Sequence, residues 1–81
     1  ELARFDVTLG EVNWLAEPLG VGEVCEVQVR HRSAAVRAAV ARVAGEQVTL
    51  RLLEPARAVA PGQSGVLYRG DHVLGGGVIA G

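Results

Sequence analysis

The sequence predicts an all-β domain: a small antiparallel β-barrel, closed or partly open, of about six strands. Three observations lead there. Polar and apolar residues alternate along residues 23–32 and 47–53, the period-two pattern of half-buried antiparallel strands. Two short apolar runs, residues 66–68 and 72–74, are closed by turn chemistry at Pro61-Gly62, Arg69-Gly70-Asp71 and Gly75-Gly76-Gly77. Finally, 81 residues make one small domain, 1–81, and a chain of that size buries only roughly 60–65% of its unfolded surface.

Taken in order, Phe5, Val7 and Leu9 share one face of a first strand that Gly10 ends. The chain starts without methionine, in mid-alternation, as expected of a piece of a longer protein. Trp14, the single tryptophan, suits core packing or contact with a neighbouring domain. After the loop at residues 17–20, residues 23–32 place Cys25, Val27, Val29 and His31 on one face and Glu26, Gln28 and Arg30 on the other. Residues 34–44 conflict with the rest. They are alanine-rich, and Val36, Val40 and Val43 fall at i, i+4 and i+7, which favours a helix locally. Period-two counting groups Val36, Ala38 and Val40 but is spoiled by Arg42. Along residues 47–53, Val48, Leu50 and Leu52 face inward, and Glu54-Pro55 is expected to stop the strand because proline cannot donate to a ladder. Residues 65–69, 72–74 and 77–80 complete six or seven short strands.

Composition excludes several chemistries. All eight basic residues are arginine, so no Schiff-base, P-loop or biotin- or lipoate-bearing lysine is available. A single cysteine leaves no disulfide and fits a reducing compartment. No run of about twenty apolar residues and no secretory pattern is present, so the expectation is a cytoplasmic location with no membrane partner. The formal net charge of −1 hides an asymmetry: six acidic groups face only Arg4 within residues 1–26, whereas seven arginines face Glu46, Glu54 and Asp71 in the remainder. Arginine placement, not the overall balance, therefore decides whether RNA can be approached.

Reactive constellations are absent. Cys25, His31 and His72 have no metal-ligand spacing, Ser33 and Ser64 lack a nucleophile elbow, and Cys25 sits on an inward face where a thiol is inert. Gly75–Gly77 lacks the lysine and following helix of a phosphate loop. Arg30-His31-Arg32, before Ser33, offers two guanidiniums around a planar ring, the means of single-stranded RNA recognition. On composition alone the triplet reads as a solvated strand end with its ring at the barrel rim.

Four separated motifs alter that reading. Val12-Asn13-Trp14-Leu15, Val29-Arg30-His31-Arg32, P-x-R-A-V-x-P-G-Q ending at Gln63, and L-Y-x-G-D-x-V-L-G-G-G-V-I ending at Ile79 occur in register. Together they resemble the C-terminal end of the tRNA-specific 2-thiouridylases. That resemblance implies an elongation-factor-like barrel and makes residues 34–44 a strand paired with the next through Gly45-Glu46. It also implies that Arg30, His31 and Gln63 face RNA, with Arg32 and Arg57 at further basic positions; Arg57 could equally brace the turn. Histidine stands where the family usually has tyrosine. The family adenylates the C2 oxygen of the wobble uridine and replaces it with persulfide sulfur. The implied partners are a tRNA anticodon arm, the remainder of the chain and a persulfide sulfur-relay protein. The implied cofactor, ATP with Mg, belongs to a catalytic domain; no cofactor, metal or catalytic residue is expected in these residues. The rival reading is a structural or protein-interaction barrel that supports a catalytic domain.

Overall fold

A computed structural model of the chain describes residues 4–29, 34–56 and 62–80. Six strands form: β1 (Arg4–Trp14), β2 (Val24–Gln28), β3 (Val36–Ala44), β4 (Gln47–Ala56), β5 (Ser64–Arg69) and β6 (His72–Ile79). They close into one barrel in the order β1-β4-β3-β2-β5-β6, and each neighbouring pair is antiparallel. Closure removes the unpaired edge that an open sheet of these strands would expose.

The alternation read from the sequence places the core. Cys25, Val27, Val48, Leu50 and Leu52 are buried, while Thr49 is half-buried and Arg51 exposed. Leu9, Leu50 and Leu67 have no exposed surface, each contributing about 1.5–3 kcal/mol by leaving water. Leu19, buried within the β1–β2 loop, closes one end, and Trp14 packs partly buried against the core. Phe5 departs from expectation. It is 59% exposed rather than beside Val7 and Leu9, because the β1–β4 register shifts between Arg4 and Asp6.

Segment 34–44 is a strand despite its helical propensity. β3 is hydrogen-bonded on both sides, to β2 and β4, and buries Ala38 and Val40 with Val36 half-buried. Completing a cylinder buries more apolar surface than an isolated amphipathic helix of this length could, so pairing overrides propensity. Arg42 ceases to be an anomaly. The β3–β4 register shifts between Val40 and Arg42, and this bulge turns Arg42 outward.

Further boundaries differ from expectation. Gly10 does not end its strand, since β1 runs on to Trp14 with a register shift against β6 after Gly10. Glu54-Pro55 does not end its strand: β4 runs to Ala56, which pairs with Arg4. Between Asp6↔Arg51 and Arg4↔Ala56 the register slips, and Pro55 lies in that irregular stretch, where a missing N–H is tolerated. Gly75–Gly77 is no break either, since β6 runs through it. A side chain at Gly75 or Gly77 would strike the Asn13 or Gly10 carbonyl of β1, so glycine here permits close backbone approach instead of a bend. Two-residue loops make the hairpins, Gly45-Glu46 between Ala44↔Gln47 and Gly70-Asp71 between Arg69↔His72. Each glycine there has positive φ, 60° and 61°.

Candidate nucleic-acid interface

Alternating strand direction divides the barrel into two rims. β1, β3 and β5 begin at one rim, where β2, β4 and β6 end. The β2–β3 and β4–β5 connections leave described strands at that same rim. Arg30, His31 and Arg32 belong to the first connection, Arg57 and Gln63 to the second. Arg30, His31, Arg32 and Arg57 lie outside the described residues.

Gln63 is described, and its main chain is fixed to the end of β6. The Ile79 N–H donates to the Gln63 carbonyl at 2.7 Å, and the Gly62 N–H donates to the Ile79 carbonyl at 2.9 Å. Gly62 has φ 91°, matching the second central position of a type II turn after proline. Gln63 itself is half-buried and takes part in an interaction. The register Gln28↔Val66 sets the end of β2 beside the start of β5, so Val29, buried and preceding Arg30, leads out next to the Gln63 turn.

This rim has a basic residue that the motifs did not single out. Arg37 is exposed near the start of β3, and its N–H donates to Glu54 Oε1 at 3.2 Å. Its signal was available as the next arginine after the Arg-His-Arg triplet. Around the outer wall, Tyr68 donates its hydroxyl to Gln28 Oε1 at 3.3 Å, tying β5 to β2 just below the rim.

The opposite rim carries the β1–β2 loop and the two tight hairpins. Glu11, Glu17, Glu23, Glu46 and Asp71 are exposed there. Glu23 accepts from the Gly20 N–H at 2.6 Å and pairs with Arg69 at 3.6 Å. Among the described residues, carboxylates gather at this rim beside exposed Arg42 and Arg69, while the Gln63 rim carries Arg37 together with Glu54 and Asp6.

The described residues offer no nucleophile in a reactive setting. Cys25 is buried, and that burial pushes its thiol pKa up; Arg69 draws it down and Glu26 raises it further. Among the described residues no three His, Cys, Asp or Glu side chains are grouped to hold a metal. No helix among them is long and apolar enough to cross a membrane.

Comparison with known proteins agrees with the barrel fold. Residues 5–79 match the family described as the aminomethyltransferase beta-barrel domain. The chain is 45% identical over 75 residues to a tRNA-specific 2-thiouridylase of Picosynechococcus sp., covering 91% of this chain and 21% of that protein. It is 50% identical over 72 residues to the protein of that name from Orientia tsutsugamushi, covering 89% and 18%. For the Deinococcus radiodurans protein the identity is 47% over 70 residues, covering 86% and 18%. The chain spans about a fifth of the length of these relatives. With its six-stranded closure and its match over nearly every residue, the chain belongs to the aminomethyltransferase beta-barrel domain family, in the form shared by tRNA-specific 2-thiouridylases.

Proposed function

We propose that this chain is the tRNA-positioning barrel of an ATP-dependent 2-thiouridylase that installs 2-thiouridine at the wobble position of the anticodon. The observation that carries the reading is the shared rim: the connections bearing Arg30, His31, Arg32, Arg57 and Gln63 leave strands that end together. Guanidiniums at that rim hold the phosphates of the anticodon arm and orient it. His31 and Gln63 add short-range contacts. Phosphate contacts of this kind fix register without reading sequence.

The sulfur chemistry belongs elsewhere in the longer protein. Gly75–Gly77 lies inside β6 and precedes no helix, and the sequence has no lysine, so these residues do not fit a nucleotide-binding loop. Adenylation with ATP and Mg, and sulfur delivery by a relay protein, are assigned to the catalytic part. A cytoplasmic location follows from the same reading, since tRNA is the substrate.

Steady-state kinetics of the intact thiouridylase test this. Arg30→Ala with Gln63→Ala should raise KM for tRNA about tenfold or more with kcat little changed, as lost uniform binding does. An unaltered KM overturns the proposal.

A further inference from the structure

The rim away from Gln63 carries an exposed apolar arc as well as its acidic groups. Leu15, Val21, Val24 and Val73 are 68%, 67%, 50% and 43% exposed. Hydrogen bonds tie this arc together. The Leu15 N–H donates to the Leu74 carbonyl at 2.9 Å, setting Leu15 beside the Val73–Leu74 segment. Arg69, paired with His72 across the hairpin, donates to the Val24 carbonyl at 3.4 Å and meets Glu23 at 3.6 Å. One arginine thus links the β5–β6 turn to the start of β2, holding Val24 on the side that carries Val73. The Gly22 N–H donates to the Val40 carbonyl, which fixes Val21 on the same loop.

The surrounding charge restricts what can cover these side chains. Glu17, Glu23 and Asp71 flank the arc, with Glu11 and Glu46 further round the rim, all exposed. Of the two arginines described on this rim, Arg69 is engaged by Glu23, and exposed Arg42, two residues beyond Val40, leaves the carboxylates in excess. Such a surface repels phosphate, so neither RNA nor an anionic bilayer fits it. A second copy meeting it face to face would set carboxylates against carboxylates. We propose that this rim docks a protein surface whose apolar centre is ringed by lysine or arginine. Leucine- or aromatic-sized groups of the partner would cover Leu15, Val21, Val24 and Val73, while its cations meet Glu17 and Asp71. Both hairpins here are two-residue turns and Leu19 is buried beneath the loop, so few residues would need ordering on association.

The test is a titration of the isotope-labelled 81-residue chain, followed by NMR, with an amphipathic leucine–lysine peptide as probe. Saturable shifts are expected at residues 15–24 and 69–73, weakening as salt is raised. Leu15→Ser with Val21→Ser, and separately Glu17→Lys with Asp71→Lys, should each weaken binding about tenfold, a change of roughly 1.4 kcal/mol in affinity terms. All four positions are exposed, and an unchanged amide spectrum of each variant shows that folding is intact. Equal binding of a leucine–glutamate peptide, shifts centred on residues 4–6, 36–37 and 62–64, or self-association without peptide would each overturn the proposal. So would an RNA stem-loop that moves residues 15–24; a stem-loop that leaves them unmoved supports it.

Discussion

A methyl group added at Gly75 would lie 2.5 Å from the Asn13 carbonyl oxygen, and one at Gly77 2.6 Å from that of Gly10. Both obstacles are main-chain atoms of β1, which cannot swing aside. Gly75→Ala and Gly77→Ala should each cost about 3 kcal/mol, at the upper end for overpacking. Gly45→Ala meets nothing within 4 Å and bears only the left-handed φ of 60°, about 1–2 kcal/mol. Denaturant midpoints with unchanged slope would establish that order. Glu11 is the converse case: it holds φ 52° at the β1 irregularity facing β6. Asparagine accepts that conformation more readily, so Glu11→Asn should raise the thermal midpoint slightly. Cys25 supplies the pH dependence. Its folded-state pKa lies above the ordinary 9.0 because burial disfavours the thiolate. Its contribution to stability is therefore complete below pH 9.0 and lost as pH rises toward the folded-state value. Alkylation of the native chain near neutral pH should be slow, and rapid only on unfolding. The inward face of Cys25 was legible from plain alternation; the clash geometry of the glycines was not, because it depends on which strand lies opposite.

At the scale of elements, residues 47–53 and 23–29 were legible since each alternates cleanly and every inward position is aliphatic or cysteine. β3 was legible only through the resemblance. Its alanines favour helix locally, and the bulge that explains Arg42 exists only in the pairing with β4. The two tendencies separate experimentally. A peptide of residues 34–46 should show helical circular dichroism in trifluoroethanol, whereas hydrogen exchange in the intact chain should protect Ala38, Val40 and Leu50. Rapid exchange of those three amides would contradict the pairing. β6 was misjudged as two fragments because three glycines ordinarily interrupt a strand, and the sequence cannot show that a neighbouring backbone needs the space. For the site, the motifs located Gln63 but not its clamp to Ile79, which comes from β6 returning beside the turn.

For the whole molecule, the proposed function is tested by how the chain approaches a polyanion. On the proposed reading, the arginine-bearing connections at the Gln63 end meet the polyanion first, away from the carboxylates of the opposite rim. Binding of an anticodon stem-loop by the chain should be weak and should fall as salt rises, with a shallow log–log slope of about −2 to −4 for a few neutralised phosphates. Arg37→Ala should reduce that slope by roughly one. A slope indistinguishable from zero would contradict phosphate contact altogether.

The seam between β1 and β6 joins the first strand to the last, with the Ala80 N–H donating to the Thr8 carbonyl at 2.8 Å across it. During synthesis β1 must therefore wait, one side unzipped, until β6 has emerged from the ribosome. At about 5–20 residues per second this interval lasts several seconds, and for that time the nascent segment is a customer for chaperones that shield sticky strands. Truncation within β6 would leave the cylinder unable to shut, giving a product cleared by proteases rather than a slightly weaker domain.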